Sequence, residues 1–288
     1  MIDINKSYKA QQKFTNAFIQ ILLLVLGIIW ILPLCWVILT SFREEPGSYT
    51  SYFWPKGFTV NNYINLITKD QQFHFTKWFT NTLLVSVISC IGSTFIVLAV
   101  SFALSRLRFK MRKPLMNVAL ILGMFPGFMS MIAVYYILKG MNLLNNPLVC
   151  LTLVYIAGSG LQYYIAKGFF DTVPKALDES AYLDGATKSQ VFFKITLPLS
   201  KPIIVYTILT SFMAPWIDYI FPSIICGSNY ESYTVALGMF KMLEREFIGA
   251  YYTQFAAGAV LVSIPIAALF ISMQKYYVEG VTGGAVKG

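Results

Sequence analysis

Long runs of apolar, almost uncharged residues recur along this chain of 288 residues, and they restrict its fold more than any other feature of the sequence. A run of about 18 or more such residues can cross the roughly 30 Å hydrocarbon core of a bilayer as a helix. A content of 57% hydrophobic and 12% charged residues also fits a membrane protein better than a soluble domain. The expected fold is therefore an all-α polytopic membrane protein, with a six-span domain over 18–277. Hydropathy places the spans at residues 18–40, 82–104, 115–138, 147–169, 202–225 and 255–277.

The distribution of lysine and arginine predicts the orientation of this bundle. Fifteen of the 22 basic residues fall on the side of the N-terminus, and their densest cluster is SRLRFKMRKP, between the second and third spans. Because basic loops stay in the cytoplasm, we expect the N-terminal segment 1–17 and the tail 278–288 to be cytoplasmic. The polar stretch 1–17 is too long for a cleaved signal peptide, so 18–40 is interpreted as a retained span. The net charge of +9 then reflects topology, and no nucleic-acid partner is expected.

Prolines, or glycines close to one another, interrupt five of the six predicted spans. Such breaks persist in a bilayer where neighbouring helices or a water-filled cavity satisfy the freed backbone groups. They favour a packed bundle around a pathway, with ordinary helix kinking as the alternative. The residues concerned are Pro33, Gly123, Pro126, Gly127, Gly158, Gly160, Pro215, Pro222 and Pro265.

Two longer connections lie on the side opposite the termini. Residues 43–79 are polar and aromatic, which favours a loop with a short interfacial helix at about 73–79. Residues 227–254 are expected to contain a short amphipathic helix near 236–245.

Residues that carry catalysis or bind metals are sparse. The four cysteines are scattered without a C-x-x-C pair, and His74 is the sole histidine. The motifs H-E-x-x-H, G-x-S-x-G and G-x-x-x-x-G-K-[ST] do not occur. The sequence therefore predicts no intramembrane enzyme, no metal site and no ATP-binding phosphate loop.

A polar loop, residues 174–202, separates the fourth and fifth spans on the predicted cytoplasmic side. Pro174 suits the first turn of a helix, and Gly185 is typical of the left-handed residue that ends one. Residues 187–190 then have the capping-box pattern that begins a second helix. The loop is thus predicted to form two short helices around a glycine corner. These residues alone support docking onto a partner and a solvated linker equally.

The polar loop resembles the EAA loop of ABC importer permeases, whose pattern is E-A-A-x3-G-x9-I-x-L-P. Glu179–Ala181 corresponds to the first element, Gly185 to the glycine and Ile195–Pro198 to the last element, and Ser180 is the one departure. The match has four spaced elements in register and lies between two spans, as it does in that family. The residues that the resemblance implicates in coupling to an ATPase are Glu179, Ser180, Ala181, Asp184, Gly185, Ile195, Leu197 and Pro198.

The likeness extends over most of the chain and is to carbohydrate permeases. The tail 280–288, GVTGGAVKG, is most similar to the shorter permease subunit of maltose and maltodextrin importers, where related tails end in G-L-T-A-G-G-V-K-G. Further shared elements are Asn81-Thr82, the basic turn Ser105–Lys110, Pro126, Phe169-Phe170 ahead of Pro174, and Leu183–Ala186.

This resemblance implies a type I ABC importer permease with a core at about 82–277 and a cytoplasmic coupling helix in 174–198. Glu179 would pair with a basic residue of a cytoplasmic ATPase dimer, and Gly185 would allow the bend. The implied partners also include a second homologous permease, an extracellular or periplasmic solute-binding protein and an oligosaccharide. The ATPase subunits alone would bind ATP and Mg, and the assembly would lie in a bacterial or archaeal cytoplasmic membrane. The tail could reach the ATPase or be a disordered end.

The predicted substrate pathway centres on Asp218, the one ionisable side chain well inside a predicted span. It lies between Trp216 and Tyr219, and aromatic faces with polar groups commonly hold sugars. The alternative is an acid that caps a broken helix beside Pro215. Weaker candidates on the fourth span are Ser159, Gln162 and Tyr163.

Two alternatives to a maltodextrin permease stay open. An autonomous secondary sugar carrier could couple six spans and one buried acid to protons. The same ABC role could also serve raffinose-type sugars or glycerol phosphate.

Overall fold

The computed structural model describes residues 4–48, 50–69, 72–125, 127–158 and 160–285. These residues are helical apart from turns and loops, and an isolated bridge between Arg43 and Phe58 is the one extended pairing among them. The helices of the first half are α1 (Ile4–Ser41), α2 (Asn61–Thr68), α3 (Phe75–Arg106), α4 (Arg112–Met124), α5 (Gly127–Gly140), α6 (Pro147–Ala157) and α7 (Gly160–Thr172). Those of the second half are α8 (Lys175–Leu183), α9 (Lys188–Val191), α10 (Leu197–Leu199), α11 (Lys201–Ile217), α12 (Ile220–Cys226), α13 (Val235–Met242) and α14 (Ile248–Ala285).

The described helices form the predicted spans either as one long stretch or as a sharply bent pair of helices. Four stretches are long and apolar enough to cross a membrane without a sharp bend: Gln11–Ser41, Phe75–Arg106, Pro147–Thr172 and Ile248–Tyr276. Two further stretches qualify only as bent pairs, so the described residues contain up to six spans. The prediction of an all-α, multi-span fold is confirmed. The helix α14 also continues past the predicted end of the sixth span and includes the tail as far as Ala285.

The third predicted span, 115–138, is not one straight helix as expected. It consists of α4 and α5, whose axes differ in direction by 112°. Phe125 ends α4 with φ −69° and ψ 140°, an extended conformation. The residue that precedes a proline is driven out of the helical region by the proline ring, and Phe125 precedes Pro126, which lies outside the described residues. The breakers in this span therefore produce a turn rather than a mild kink.

The separate interfacial helix expected at 73–79 is also absent from the described residues. Phe75 begins α3, and the helix runs without a break through Trp78 into the second span, because no proline or glycine interrupts it there. A short helix lies earlier in the same connection, at Asn61–Thr68. The amphipathic helix expected near 236–245 is confirmed as α13, Val235–Met242.

The chain divides into two compact units, residues 1–69 with 242–260, and residues 70–241 with 261–288. In the first unit, the Asn62 amide donates to the carbonyls of Ser41 and Arg43 and accepts from the Thr253 hydroxyl. These bonds join the ends of α1, α2 and α14 within this unit. The apolar side chains of α1 are exposed along the helix, including Trp30 at 78%, as for a surface that contacts lipid or another subunit.

The second unit is built around α3, which packs against α6, α7 and α11. One face of α3 carries serines at helical spacing, and small residues of this kind let neighbouring backbones approach closely in membrane bundles. Ser86 donates to the Phe212 carbonyl on α11, and Ser101 donates to the Tyr163 carbonyl on α7 at 3.0 Å. The buried serines of this face are Ser86, Ser89, Ser93, Ser101 and Ser105.

Candidate functional site

The polar loop turns sharply at Gly185, which ends α8. Gly185 has φ +81°, in the left-handed region that favours glycine. The Gly185 N–H donates to the Tyr182 carbonyl at 3.1 Å, and the Ala186 N–H donates to the Ala181 carbonyl at 2.9 Å. These two bonds form a Schellman motif, which satisfies the last carbonyls of the helix. The predicted glycine cap is confirmed.

A capping box starts the second helix of the polar loop, as the sequence predicts. The Thr187 hydroxyl accepts from the Gln190 N–H at 3.3 Å, and the Gln190 side chain accepts from the Thr187 N–H at 2.7 Å. The helix then widens into a π-helical turn at Phe192–Thr196 and ends with α10. At Ser200 the chain bends by 86° into α11.

A buried ion pair joins the polar loop to the end of α3. Arg106 Nε lies 3.0 Å from Asp178 Oδ2, and the two side chains are 3% and 7% exposed. The contact is Coulombic rather than a directed hydrogen bond, because the Nε–H finds no acceptor with suitable geometry among the described residues. Arg106 Nη2 donates to the Val173 carbonyl at 2.8 Å. This ion pair therefore holds α8 against α3 within the second unit.

Burial disfavours the charged form of the Asp178 carboxyl. Removal from water raises the pKa of its carboxyl, Arg106 opposes the rise, and the neighbouring charge of Glu179 adds to it. Because the pKa stays raised beside a guanidinium, the attraction does not fully offset the lost hydration of the carboxylate. The pair thus fixes the position of α8 more than it stabilises the fold.

An apolar cluster fixes the second helix of the polar loop. Val191 and Phe192 are buried among residues from α3, α7 and α11, and Phe102 packs against Phe192 with ring centroids 4.9 Å apart. Three of the predicted coupling residues pack against the edge of this cluster: Ala181, Ile195 and Leu197. The polar loop is therefore attached to the bundle by an ion pair under α8 and an apolar cluster under α9.

The opposite side of the polar loop is exposed. Leu183 is 89% exposed, unusual for a large apolar side chain at the end of a short helix. A cavity of about 250 Å³ lies at the corner, lined by residues that include Asp184, Gly185 and Ile195. The other exposed coupling candidates are Glu179, Ser180 and Pro198. The structure thus brings the predicted coupling residues together on one two-helix body.

Asp218 lies at the break between α11 and α12. Its Oδ1 accepts from the N–H groups of Ile220 and Phe221 at 3.1 and 3.2 Å, as a helix cap does. Its Oδ2 accepts from the Tyr155 hydroxyl on α6 at 2.9 Å. The helix-capping alternative is therefore realised, and the carboxylate also links two helices.

The two aromatic neighbours of Asp218 have different surroundings. Trp216 is 3% exposed and packs against Phe79 with ring centroids 5.2 Å apart, so its ring serves packing in this conformation. Tyr219 is exposed and stacks on Phe240 of α13 at 4.5 Å and 17°. A role for either residue in a substrate pathway stays a prediction.

The candidates on the fourth span lie at its break. Gly158 has φ +65°, which separates α6 from α7. The Tyr163 hydroxyl donates at 2.5 Å to the Ala157 carbonyl, one of the groups that the break releases from helical bonding. Gln162 lies beside Gly158, and Ser159 lies outside the described residues.

Sequence reasoning missed the partner of Asp178. The sequence places Arg106 in the basic cluster between the second and third spans and Asp178 in the first turn of the predicted helix, without a contact between them. The signal was a carboxylate on the side of α8 that also carries Ala181, facing a basic turn. Within the described ranges, no three His, Cys, Asp or Glu residues lie close enough to hold a metal ion.

Known proteins with similar sequences are permeases. The chain is 36% identical to the galactooligosaccharides transport system permease protein GanQ of Bacillus subtilis, over 97% of this chain and 98% of that one. It is 33% identical to the maltodextrin transport system permease protein MalD of Streptococcus pneumoniae, over 99% and 100% of the two chains. Both matches cover the polar loop and all the predicted spans.

A similar solved structure and a family model support the same assignment as these relatives. The structure superposes on a chain from the crystal structure of a bacterial ABC transporter that imports alginate, with a TM-score of 0.75, 19% identity, and coverage of 93% of this chain and 98% of that one. Residues 95–283 match the family model described as a binding-protein-dependent transport system inner membrane component. The chain therefore belongs to the family of inner-membrane components of binding-protein-dependent transport systems.

Proposed function

We propose that this chain is the permease subunit of an ABC importer that moves oligosaccharides inward by alternating access. The observation that carries the proposal is the polar loop, which is anchored to the bundle on one side and exposed on the other. Such a body can transmit motion from a docked ATPase to the spans. The names of the two relatives, which refer to galactooligosaccharides and maltodextrin, support an oligosaccharide, with maltodextrin as the leading substrate.

The exposed side of the polar loop would dock on a cytoplasmic ATPase dimer. Leu183 would enter an apolar recess, and Glu179 would pair with a basic residue of the ATPase. The cavity beside Gly185 has room for a side chain of that partner. The ATPase would bind ATP and Mg, and this chain would need no cofactor of its own.

The remaining parts of the assembly follow from the same proposal. Basic residues flank the polar loop and the termini, which supports a cytoplasmic location for both in the bacterial or archaeal plasma membrane. A second homologous permease would complete the pathway. A solute-binding protein would deliver the sugar on the other side, as the alginate transporter is seen in complex with a periplasmic protein.

Purification from the native host tests this proposal. A permease should co-purify with a second permease and an ATPase dimer, and in proteoliposomes ATP hydrolysis should rise when the cognate binding protein is loaded with maltodextrin. A chain that purifies alone and transports sugar in response to a proton gradient would instead be a secondary carrier. Identification of the sugar bound to the cognate binding protein would determine the substrate.

We also propose that Asp218 and Tyr219 border the sugar pathway. A carboxylate has about four lone-pair positions, and three bonds to Asp218 leave one for a sugar hydroxyl. Asp218→Asn keeps a good helix cap, so we expect an unchanged melting temperature. With Oδ1 kept for the cap, the amide NH2 replaces Oδ2 and cannot accept a bond from the sugar hydroxyl, so the sugar concentration for half-maximal transport should rise about tenfold.

The control for this prediction is Tyr155→Phe, which removes the hydroxyl that donates to Asp218 but leaves the carboxylate. Transport assays on both variants and on wild type provide the comparison. An unchanged transport rate and sugar preference in Asp218→Asn would restrict the residue to capping α12.

A further inference from the structure

A second cavity, of about 290 Å³, lies where the end of α3 and the start of α4 meet α8. Four basic side chains line it: Arg106, Arg108, Arg112 and Lys175. The carboxylates that line it are Asp178 and Glu179, and Asp178 already contacts Arg106. The cavity therefore has an excess of positive charge.

Arg106 is almost completely buried, and its guanidinium lacks part of its hydrogen bonding. Its side chain is 3% exposed, and its Nη1 has no hydrogen-bond partner within the described part of the chain. Buried guanidinium nitrogens are nearly always bonded, because an unbonded one loses its hydration without replacement. Arg106 also lines the cavity, so an anion bound there would lie beside this guanidinium.

The basic turn that carries Arg108 indicates which anion fits. The turn between α3 and α4 places Phe109 and Met111, 41% and 56% exposed, between the basic residues. Clusters of basic residues just beyond the end of a membrane span are typical of sites that bind anionic lipid headgroups. The cavity also lies at the end of α3, a helix long and apolar enough to cross a membrane.

We propose that this cavity binds the phosphate of an anionic phospholipid headgroup. The guanidinium groups of Arg106, Arg108 and Arg112 provide the forked donors that match phosphate oxygens. A bound headgroup would contact both α3 and α8 and would strengthen the connection between the polar loop and the bundle. This inference rests on the proposed topology, but its test measures binding and needs no transport.

The test measures how many phosphatidylglycerol molecules the purified complex retains after detergent washing, by native mass spectrometry. The variant Arg108→Gln/Arg112→Gln removes two cations from the cavity and leaves the Arg106–Asp178 pair intact. The matched control Lys110→Gln/Lys113→Gln removes two cations of the same basic turn that do not line the cavity. We expect the cavity variant to bind the lipid at least about 30-fold more weakly, since it loses two charge-assisted contacts to the phosphate and each contributes a factor of at least about five. The control should retain at least several times more lipid than the cavity variant.

Competition distinguishes the two sources of phosphate. Inorganic phosphate at millimolar concentration should displace only part of the lipid, because it lacks the acyl chains. Retention of phosphate without retention of phosphatidylglycerol would overturn the lipid proposal in favour of a soluble phosphate compound. Equal loss in both double variants would show a general basic surface. Lipid that the permease pair retains without the ATPase, but that the complete complex lacks, would show that an acidic side chain of the ATPase occupies the cavity. Either result would also overturn the proposal.

Discussion

Glu179→Lys in the reconstituted complex is expected to abolish ATP hydrolysis stimulated by the binding protein, with a loss of at least about 100-fold. Glu179 is exposed on α8, one turn before Leu183, and it borders the basic cavity, but none of the ion pairs among the described residues includes it. Its charge is therefore available to a partner. Reversal would place a lysine against the basic ATPase residue, and a like-charge contact at an interface costs several kcal/mol. Hydrolysis and sugar uptake in proteoliposomes measure the effect.

The same substitution at Glu231 is the matched control for this prediction. Glu231 is an exposed glutamate, 4.0 Å from Lys77 and away from the polar loop in sequence, and its side chain is 69% exposed. Glu231→Lys changes the net charge by the same amount and should keep stimulated hydrolysis within about twofold of wild type. Size-exclusion chromatography separates failed assembly from failed coupling. Wild-type coupling in an assembled Glu179→Lys complex would disprove the docking role of this residue.

The polar loop shows which parts of the site could be predicted. The Gly185 cap and the Thr187 capping box are formed by residues a few positions apart, so the sequence pattern contains the whole interaction. The π-helical turn at Phe192–Thr196 was not predicted, because it follows from packing against α3, α7 and α11. Local chemistry was predictable where tertiary packing does not compete with it.

The spans show the same division between local and long-range causes. The breakers near Pro126 were recognised, but hydropathy cannot give the 112° turn between α4 and α5. The aromatic stretch at 73–79 was assigned to the interface, because its continuity with the second span depends on burial of Trp78 against distant residues. The contact between Arg106 and Asp178 joins distant segments. One sequence without homologues shows a basic turn and an acidic helix on the same predicted side of the membrane, but not that these two side chains meet.

The second prediction with a large expected effect concerns the Arg106–Asp178 pair. Asp178→Ala leaves Arg106 charged, buried and without its counterion, which costs about 3–5 kcal/mol in comparable cases. We expect the apparent melting temperature of the complex to fall by about 10 °C. Coupled hydrolysis should fall with it, because α8 loses its attachment to α3 while Leu183 and Glu179 remain available for docking.

The buried Asp178 carboxyl should change how the stability of the protein depends on pH. The folded-state pKa of Asp178 is raised above its ordinary value of 3.8, so between those two values the folded protein binds more protons than the unfolded one. This carboxyl therefore favours folding more as pH falls through that window, and less as pH rises through its folded pKa. The melting temperature of wild type should fall less on acidification through this window than that of Asp178→Asn, which lacks the titrating group.

The double variant Arg106→Met/Asp178→Leu tests whether the pair acts only by holding α8 against α3 or also through its charges. Replacement of a buried ion pair by apolar residues of similar volume is often neutral or stabilising, so the melting temperature should return to at least the wild-type value. If the pair serves only to hold α8 against α3, an apolar contact holds it equally well and coupled hydrolysis should recover too. Lys77→Ala is the control, because it breaks an exposed pair that contributes about 0–1 kcal/mol. A stable double variant that hydrolyses ATP without transport would show instead that the charges themselves take part in the conformational cycle.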